Sequence, residues 1–239
     1  MMQNSMLVPL RILGFALILT VLCQAGAQSN KDPYPAMAPL AQYMMDRDAE
    51  IALARSAAPS SISDNAEVMV LGQQGYTTAV KGSNGFLCIV ERGWAASTDN
   101  PDFWNPRLRG PLCLNPAAAR SFEPIYLMRT KLILRGESKS EMVRATDAAF
   151  ASKELPALEP GAMCYMLSKQ QYLGDGPKSW HPHLMFFVSD DAAKSWGADM
   201  SGSPVMAANF PEEKATIFMV IVDSWSDGTP FTASGANGQ

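Results

Sequence analysis

Three strand-length apolar runs follow one another between residues 67 and 90, and the links between them are short and rich in glycine. The runs are EVMVL (67–71), YTTAV (76–80) and FLCIV (86–90), and the links contain GQQG and GSNG. Links of this kind are typical of tight turns. Strands joined by such turns are neighbours that run in opposite directions, so this part of the chain predicts an antiparallel meander.

The rest of the chain predicts further strands and helices that do not alternate strictly. Three more strands are predicted at 162–168, 183–188 and 215–222. Helices are predicted at 39–58, between 116 and 136, at 139–153, and from Ser189 to Trp196. This pattern is typical of the α+β class. We expect a single domain with a mostly antiparallel sheet of about five to six strands packed against three to four helices.

Several helix ends carry recognisable capping signals. Asn115 followed by Pro116 predicts an N-cap with proline at the first helical position. Gly136 predicts a C-terminal cap, and Ser138 with Glu141 forms a capping-box pattern. The segment from Glu91 to Leu114 has no such periodicity and is predicted to be a long irregular loop.

The first 27 residues are predicted to be a secretory signal peptide. Arg11 precedes an apolar run over residues 12–23, and Ala25-Gly26-Ala27 offers the small-residue pattern that signal peptidase recognises. A run of this length is short of the ~20 residues that a membrane-spanning helix needs, which disfavours the alternative of an uncleaved anchor. The protein is therefore expected to be secreted or periplasmic, with no membrane anchor after cleavage.

The mature chain is expected to have three parts: an extended N-terminal arm (28–38), the α+β domain (39–225) and a disordered tail (226–239). The formal net charge of the whole chain is −4, and removal of Arg11 makes it one unit more negative. Lysine and arginine form no block along the chain. The sequence therefore predicts no nucleic-acid partner.

Export changes the interpretation of the cysteines. Cys88, Cys113 and Cys164 remain after cleavage, and an odd number in an oxidising compartment predicts one disulfide and one free thiol. Cys88 and Cys113 flank the loop that is rich in proline and tryptophan, so we predict a disulfide between them. Cys164 lies in an apolar run and is predicted to be buried and inert.

The only two histidines of the chain, His181 and His183, lie in WHPHLMFFV. Positions two apart on a strand share a face, so both rings could bind one metal ion, with Asp175 or Cys164 as a further ligand. Such a site would support a metal-dependent hydrolase or oxygenase. The alternative is structural, because Pro182 indicates a strand start at which His183 enters the sheet.

A second catalytic hypothesis pairs Cys164 as nucleophile with His183 as base. Ser168, at the end of the same predicted strand, is the other candidate nucleophile. The chain contains no nucleophile elbow, Walker, zincin or dinucleotide-binding pattern. No cofactor is predicted, and a divalent metal is the one candidate.

Aromatic residues gather in the two irregular segments of the chain. A stiff aromatic surface suits binding of a carbohydrate, a small molecule or a protein. The alternative is that these rings cover the core beneath the loops. The candidate surface consists of Trp94, Phe103, Trp104, Tyr172 and Trp180.

The stretches ALARSAAPSSIS, VKGSNGFLCIVERGW, PGAMCYMLSKQQYLGD and WHPHLMFFV together resemble an uncharacterised family of secreted bacterial proteins. The resemblance covers most of the mature chain and implies a single exported domain of bacterial origin. It implies no activity, cofactor or catalytic residue. The sequence therefore predicts an exported ligand- or partner-binding protein without catalytic activity, and the metal-dependent enzyme is the alternative.

Overall fold

One mixed β-sheet forms the centre of the protein in the computed structural model, which describes residues 32–176, 180–189, 192–198 and 200–232. The strands in these residues are β1 (Glu67–Gly72), β2 (Gly75–Val80), β3 (Leu87–Glu91), β4 (Gly110–Leu114), β5 (Met163–Met166), β6 (His183–Ser189), β7 (Met206–Phe210) and β8 (Ala215–Ile221). Their order is β2-β1-β3-β4-β5-β6-β8-β7. All neighbours are antiparallel except β1 and β3, so the expected mostly antiparallel sheet is confirmed.

Helices cover both faces of the sheet. They are α1 (Arg47–Arg55), α2 (Ser60–Ser63), α3 (Pro116–Ser121), α4 (Glu123–Leu134) and α5 (Lys139–Ala151), with short 3-10 turns at Leu40–Gln42, Gly93–Ala95, Lys194–Trp196 and Pro211–Glu213. Helix α1 packs on the face that carries Cys88 and Val90. Helices α3, α4 and α5 pack on the opposite face, which carries Ile89 and Leu112. The α+β class is confirmed.

The expected number of five to six strands is wrong, because the described residues form eight. Strand β4 lies in the segment predicted to be loop, and its Pro111 pairs with Val90. The Cα atoms of Cys88 and Cys113 are only 4.0 Å apart, which indicates a pair without ladder hydrogen bonds, and the pair formed by Val90 and Pro111 is of the same type. Proline therefore removes no hydrogen bond to β3.

Strand β7 is the other strand that the sequence does not predict. Its residues, MAANF, are mostly half-buried or exposed, and alanine and asparagine are depleted in strands. The strand pairs with β8 from Met206 to Phe210 and has no other strand beside it in the described residues. Tertiary pairing with the apolar β8 therefore overrides the weak local preference.

The predicted meander is correct for β1 and β2 and wrong for β3. Strand β3 lies on the other side of β1 and runs parallel to it. The link from β2 passes the start of β1, where a Cβ on Gly82 would approach the backbone nitrogen of Glu67 to 2.2 Å. Glycine permits this close crossing. The loop is then held by hydrogen bonds from Ser83 N–H to Asn65 O and from Glu67 N–H to Phe86 O, both 2.8 Å long.

The predicted helix over 39–58 is divided in the structure. Helix α1 begins only at Arg47, because the Asp46 side chain accepts hydrogen bonds from the backbone N–H groups of Asp48 and Ala49. The predicted caps at Asn115, at Gly136 and in the capping box of Ser138 are confirmed. The helix expected from Ser189 to Trp196 is reduced, in the described residues, to the turn at Lys194–Trp196.

The structure describes only part of each end of the chain. The predicted signal peptide and residues 28–31 of the arm lie outside the described residues, and 32–38 of the arm form no helix or strand. Residues 226–232 of the predicted tail contact the domain. Ser224 and Pro230 form a bridge, and Ser226 N–H donates to Leu167 O at 3.0 Å. Residues 233–239 lie outside the described residues.

The disulfide between Cys88 and Cys113 is confirmed. It joins directly opposed residues of β3 and β4, and both cysteines are fully buried beneath α1. The crosslink therefore lies within the sheet, at the base of the loop over 92–109, and holds together the two strands from which this loop leaves.

We expect the Cys88→Ala/Cys113→Ala double variant to lose about 3–4 kcal/mol of unfolding free energy, because the crosslink restricts the unfolded chain. Urea denaturation with and without a reducing agent measures this. Reduction should lower the midpoint of the wild type and leave that of the double variant unchanged. Peptide mapping that joins Cys88 to Cys164 would contradict the assignment.

Candidate functional site

A cavity of about 190 Å³ lies between the sheet and helix α4. Strands β4, β5, β6 and β8 supply an apolar wall that consists of Leu112, Leu114, Met166, Met185, Phe187 and Ile217. The opposite wall comes from one face of α4 and the residue before it, namely Phe122, Ile125, Tyr126 and Arg129. These four positions recur at helical spacing, so a single helix face closes the cavity.

Glu91 brings a carboxyl group into this apolar cavity. It is the last residue of β3, and strand alternation places it on the same face as the buried Leu87 and Ile89. Glu91 is half-buried and lines the cavity. Its carboxyl makes no hydrogen bond to any residue that the structure describes. Burial, and secondarily the charge of Glu213, raise the pKa of Glu91 to about 8.

Arg129 and two glutamates form the charged corner of the cavity. Arg129 Nη1 donates to Glu213 Oε1 at 2.6 Å, and Nη2 donates to Glu212 Oε2. Burial raises the pKa of Glu213 to about 7, and the Arg129 charge opposes this rise. Both terminal nitrogens of the guanidinium are thus already engaged by carboxylates.

Glu123 is a third buried carboxyl beside this site. It is the first residue of α4 and is 1% exposed. Neither of its carboxyl oxygens has a hydrogen-bond partner among the described residues. Burial and then the charge of Glu91 raise the pKa of Glu123 well above its usual value. A buried carboxyl without a partner is far less costly when it is protonated.

Arg92, next to Glu91 in the chain, is turned away into a separate buried network. Its Nη2 lies 2.9 Å from Glu50 Oε1, and its Nε donates to Tyr43 O at 2.8 Å. The Arg92 backbone N–H donates to the Tyr126 hydroxyl at 2.8 Å. The network therefore fixes both the end of β3 and Tyr126 in the cavity wall.

The two histidines do not form a shared site. His183 is 3% exposed, and its Nδ1 lies 2.8 Å from the backbone oxygen of His181. Burial lowers the pKa of His183. The His181 ring is exposed and contacts Phe231 at a tilt of 45°, with ring centroids 4.2 Å apart. His181 lies before β6, where strand alternation does not apply, so the expectation that both rings share one face is wrong.

The further metal ligands considered from the sequence are placed elsewhere. Asp175 is exposed and forms an ion pair with Arg107, and it also accepts hydrogen bonds from Tyr34 and Tyr172. These donors lower the pKa of Asp175. Among the described residues, no three His, Cys, Asp or Glu side chains come together in a group that could hold a metal ion.

The candidate nucleophiles are not arranged for catalysis. Cys164 is fully buried, and burial raises the pKa of its thiol well above the usual value, which disfavours the reactive thiolate. In the strand register Cys164 pairs with Met185 and not with His183. Ser168 is also fully buried, and its hydroxyl oxygen lies 2.7 Å from that of Ser56.

Most of the expected aromatic surface is core. Trp94 and Phe103 have no exposed surface and Trp104 has 9%, so the expectation of an aromatic binding surface is wrong for these three residues. The loop folds back over the helices, and Trp94 Nε1 donates to Thr130 Oγ1 of α4 at 2.9 Å. Tyr172 is half-buried, and Trp180 is 41% exposed.

Sequence reasoning missed Glu91, Glu123 and Arg129. A signal was present for each, because Glu91 continues the inward face of an apolar strand and the other two interrupt a helix whose remaining residues are largely apolar. A charged residue at an inward position marks a functional or paired site.

Comparisons of the chain with protein-family models, with curated proteins and with solved structures give no match. Within the described residues no helix has both the length and the apolar character needed to cross a membrane. The function is therefore inferred from the chemistry of the cavity.

We expect Glu91→Gln to remove a pH-dependent loss of stability. The pKa of Glu91 rises from 4.5 to about 8 on folding, so the folded state holds an extra proton and its stability falls as the pH rises through this range. Glutamine cannot ionise. The variant should match the wild type near pH 4, below the unfolded pKa, and be more stable by at least about 2 kcal/mol near pH 8.5.

Urea denaturation across this pH range measures the difference. Glu154→Gln, at an exposed position after the end of α5, is the matched control and should keep the pH profile of the wild type. Identical profiles for Glu91→Gln and the wild type would contradict the assignment.

We also expect untagged protein to contain less than about a tenth of a metal ion per chain, because the donor groups are not assembled. Elemental analysis measures this. If the wild type held one equivalent of metal and His183→Ala held none, the hypothesis of a metal-dependent enzyme would be supported instead.

Proposed function

We propose that the protein is an exported ligand-binding protein that holds a small, mainly apolar molecule in the central cavity without transforming it. The observation that carries this proposal is the cavity itself, with apolar walls on two sides and one free carboxyl, Glu91. Small-molecule sites usually have this character, with mostly apolar walls and a few polar groups that fix the orientation of the ligand.

The size of the cavity limits the ligand. Its volume of about 190 Å³ is somewhat larger than the ~150 Å³ of an apolar cavity that takes up benzene. The ligand is therefore expected to have one ring or a branched alkyl group with a short substituent, about ten non-hydrogen atoms in all. Each non-hydrogen atom contributes at most about 1.5 kcal/mol and usually much less, so ligands of this size commonly bind weakly.

Binding without chemistry is supported by the state of the reactive groups. The Cys164 thiol and the Ser168 hydroxyl are buried away from the cavity lining and have no activating base beside them in the described residues. The two histidines are separated, one buried and one exposed. A binding role requires only the groups that already line the cavity.

Export is part of the proposal and rests on two features. The first 27 residues have the charge, apolar run and small-residue pattern of a signal peptide. The chain also carries a disulfide, and disulfides persist mainly in oxidising compartments such as the periplasm and the extracellular space.

We expect small aromatic molecules to bind at the methionines of the cavity. In protein labelled with ¹³C at the methionine methyl groups, propylbenzene should shift the signals of Met166 and Met185, which line the cavity. The signal of Met200, which is 68% exposed, should stay in place and serves as the control.

A blocked cavity provides the second control. Ala96 is half-buried and lines the cavity, so Ala96→Phe should fill it and abolish the shifts, whereas Ala96→Ser should retain them. Shifts that persist in Ala96→Phe would place the binding site elsewhere. The absence of any shift with small aromatic molecules of either charge would contradict the proposed function.

A further inference from the structure

We propose that the ligand of the central cavity is a small primary amine with an aromatic or branched alkyl body, whose ammonium group binds the carboxylate of Glu91. This inference rests on the proposed function and names the chemical class of the ligand. The apolar body would lie against the sheet wall, and the ammonium group would lie at the end of β3, where Glu91 enters the cavity.

The charge balance around the cavity favours a cation. Glu91 and Glu213 bring carboxyls to its lining, Glu123 lies outside the lining but within electrostatic reach of Glu91, and the guanidinium of Arg129 is the cation that lines the cavity from α4. Both terminal nitrogens of Arg129 are already taken by Glu212 and Glu213. Among the described residues Glu91 therefore has no cation within ion-pair or hydrogen-bond distance, although the Arg129 charge partly opposes the rise of its pKa, and a bound ammonium would supply a direct partner.

Other ligand charges leave the site unsatisfied. An anionic ligand would have to displace Glu212 or Glu213 from Arg129 and would then lie near the carboxyl of Glu91. A neutral, wholly apolar ligand would leave the carboxyl of Glu91 enclosed without a hydrogen bond, which costs free energy. An ammonium group donates up to three hydrogen bonds and carries the complementary charge.

The buried Glu123 is an independent observation that points the same way. It is 1% exposed, both of its oxygens lack a partner in the described residues, and its charge interacts with that of Glu91. A pair of neighbouring carboxyls in an apolar environment can hold only one negative charge at low cost unless a cation is added. A bound ammonium would therefore lower the free-energy cost of ionising these two carboxyls.

Binding should exchange one proton. Near neutral pH the Glu91 carboxyl of the empty protein carries a proton, because burial and Glu213 raise its pKa to about 8. When the ammonium binds, the O–H bond of this carboxyl breaks, the proton passes to solvent, and the ammonium takes its place as the positive partner. Below this pKa the affinity should thus rise about tenfold per pH unit.

Several titratable groups face Glu91 and set the limits of this pH range. Glu123, Tyr126 and Arg129 face it from α4, Glu213 faces it from the turn before β8, and Cys164 lies within electrostatic reach on β5. Burial raises the pKa of the Tyr126 hydroxyl and of the Cys164 thiol, so both stay neutral in this range. An alkyl amine loses its own proton near pH 10, which ends the rise at the alkaline side.

The test compares two probes of nearly equal shape, phenethylamine and propylbenzene, by the methyl shifts of Met166 and Met185 and by calorimetry. At pH 8 phenethylamine should bind at least about tenfold more tightly than propylbenzene. Its affinity should fall about fivefold from pH 8 to pH 7 and about tenfold from pH 7 to pH 6, and that of propylbenzene should not change. Calorimetry in two buffers of different ionisation enthalpy should show the release of a proton.

Two matched variants assign the effect to one carboxyl. In Glu91→Gln the affinity for phenethylamine should fall at least about tenfold, and propylbenzene should bind as in the wild type or more tightly. Glu154→Gln removes a carboxylate from an exposed position and should change neither affinity. If Glu91→Gln does not fold, the pH dependence and the proton release of the wild type decide the matter.

The outcomes separate the inference from the function on which it rests. Equal or tighter binding of propylbenzene, or an affinity for phenethylamine that does not depend on pH, would overturn the assignment of an amine and leave the binding function intact. If neither aromatic probe binds at about 10 mM, the proposed function itself is wrong.

Discussion

The buried guanidinium of Arg92 is the interaction on which the arrangement of the rest depends. It forms an ion pair with Glu50 of α1, donates to the backbone oxygen of Tyr43 and to the hydroxyl of Tyr76 in β2, and its own backbone N–H bonds to Tyr126 of α4. Helices on both faces of the sheet thus contact Arg92, the residue that follows β3. Removing either partner of such a pair leaves an uncompensated buried charge, which disfavours any other placement of α1 and α4.

The cavity is a consequence of this arrangement. Arg92 pairs with Glu50 on the α1 side, and the adjacent Glu91 faces the opposite side of the sheet, where α4 is held by Tyr126. Arg92 therefore has an ion-pair partner, whereas its neighbour Glu91 has none among the described residues. Unpaired charges in apolar surroundings are concentrated at functional sites, since they persist only where the structure around them enforces their position.

The disulfide contributes to the same region from the other face. Cys88 and Cys113 join β3 and β4 beneath α1, and these two strands carry Glu91 and Leu112 into the cavity. The crosslink and the Arg92 network thus stiffen the strand that presents the carboxyl. A rigid frame lowers the entropic cost of holding a small ligand, which matters most where the ligand itself can supply little binding energy.

The sequence by itself determined the α+β class, six of the eight strands in the described residues, the caps of α3, α4 and α5, and the disulfide. Periodicity and capping residues act over a few neighbouring positions, and the number of cysteines left few possible pairings. Tertiary structure decided the rest. Strands β4 and β7 form only against an apolar neighbour, β3 crosses β1 because of Gly82, and the loop aromatics turn inward. The cavity and its unpaired Glu91 arise from elements distant in the chain, and local patterns do not record which charges meet a partner after folding.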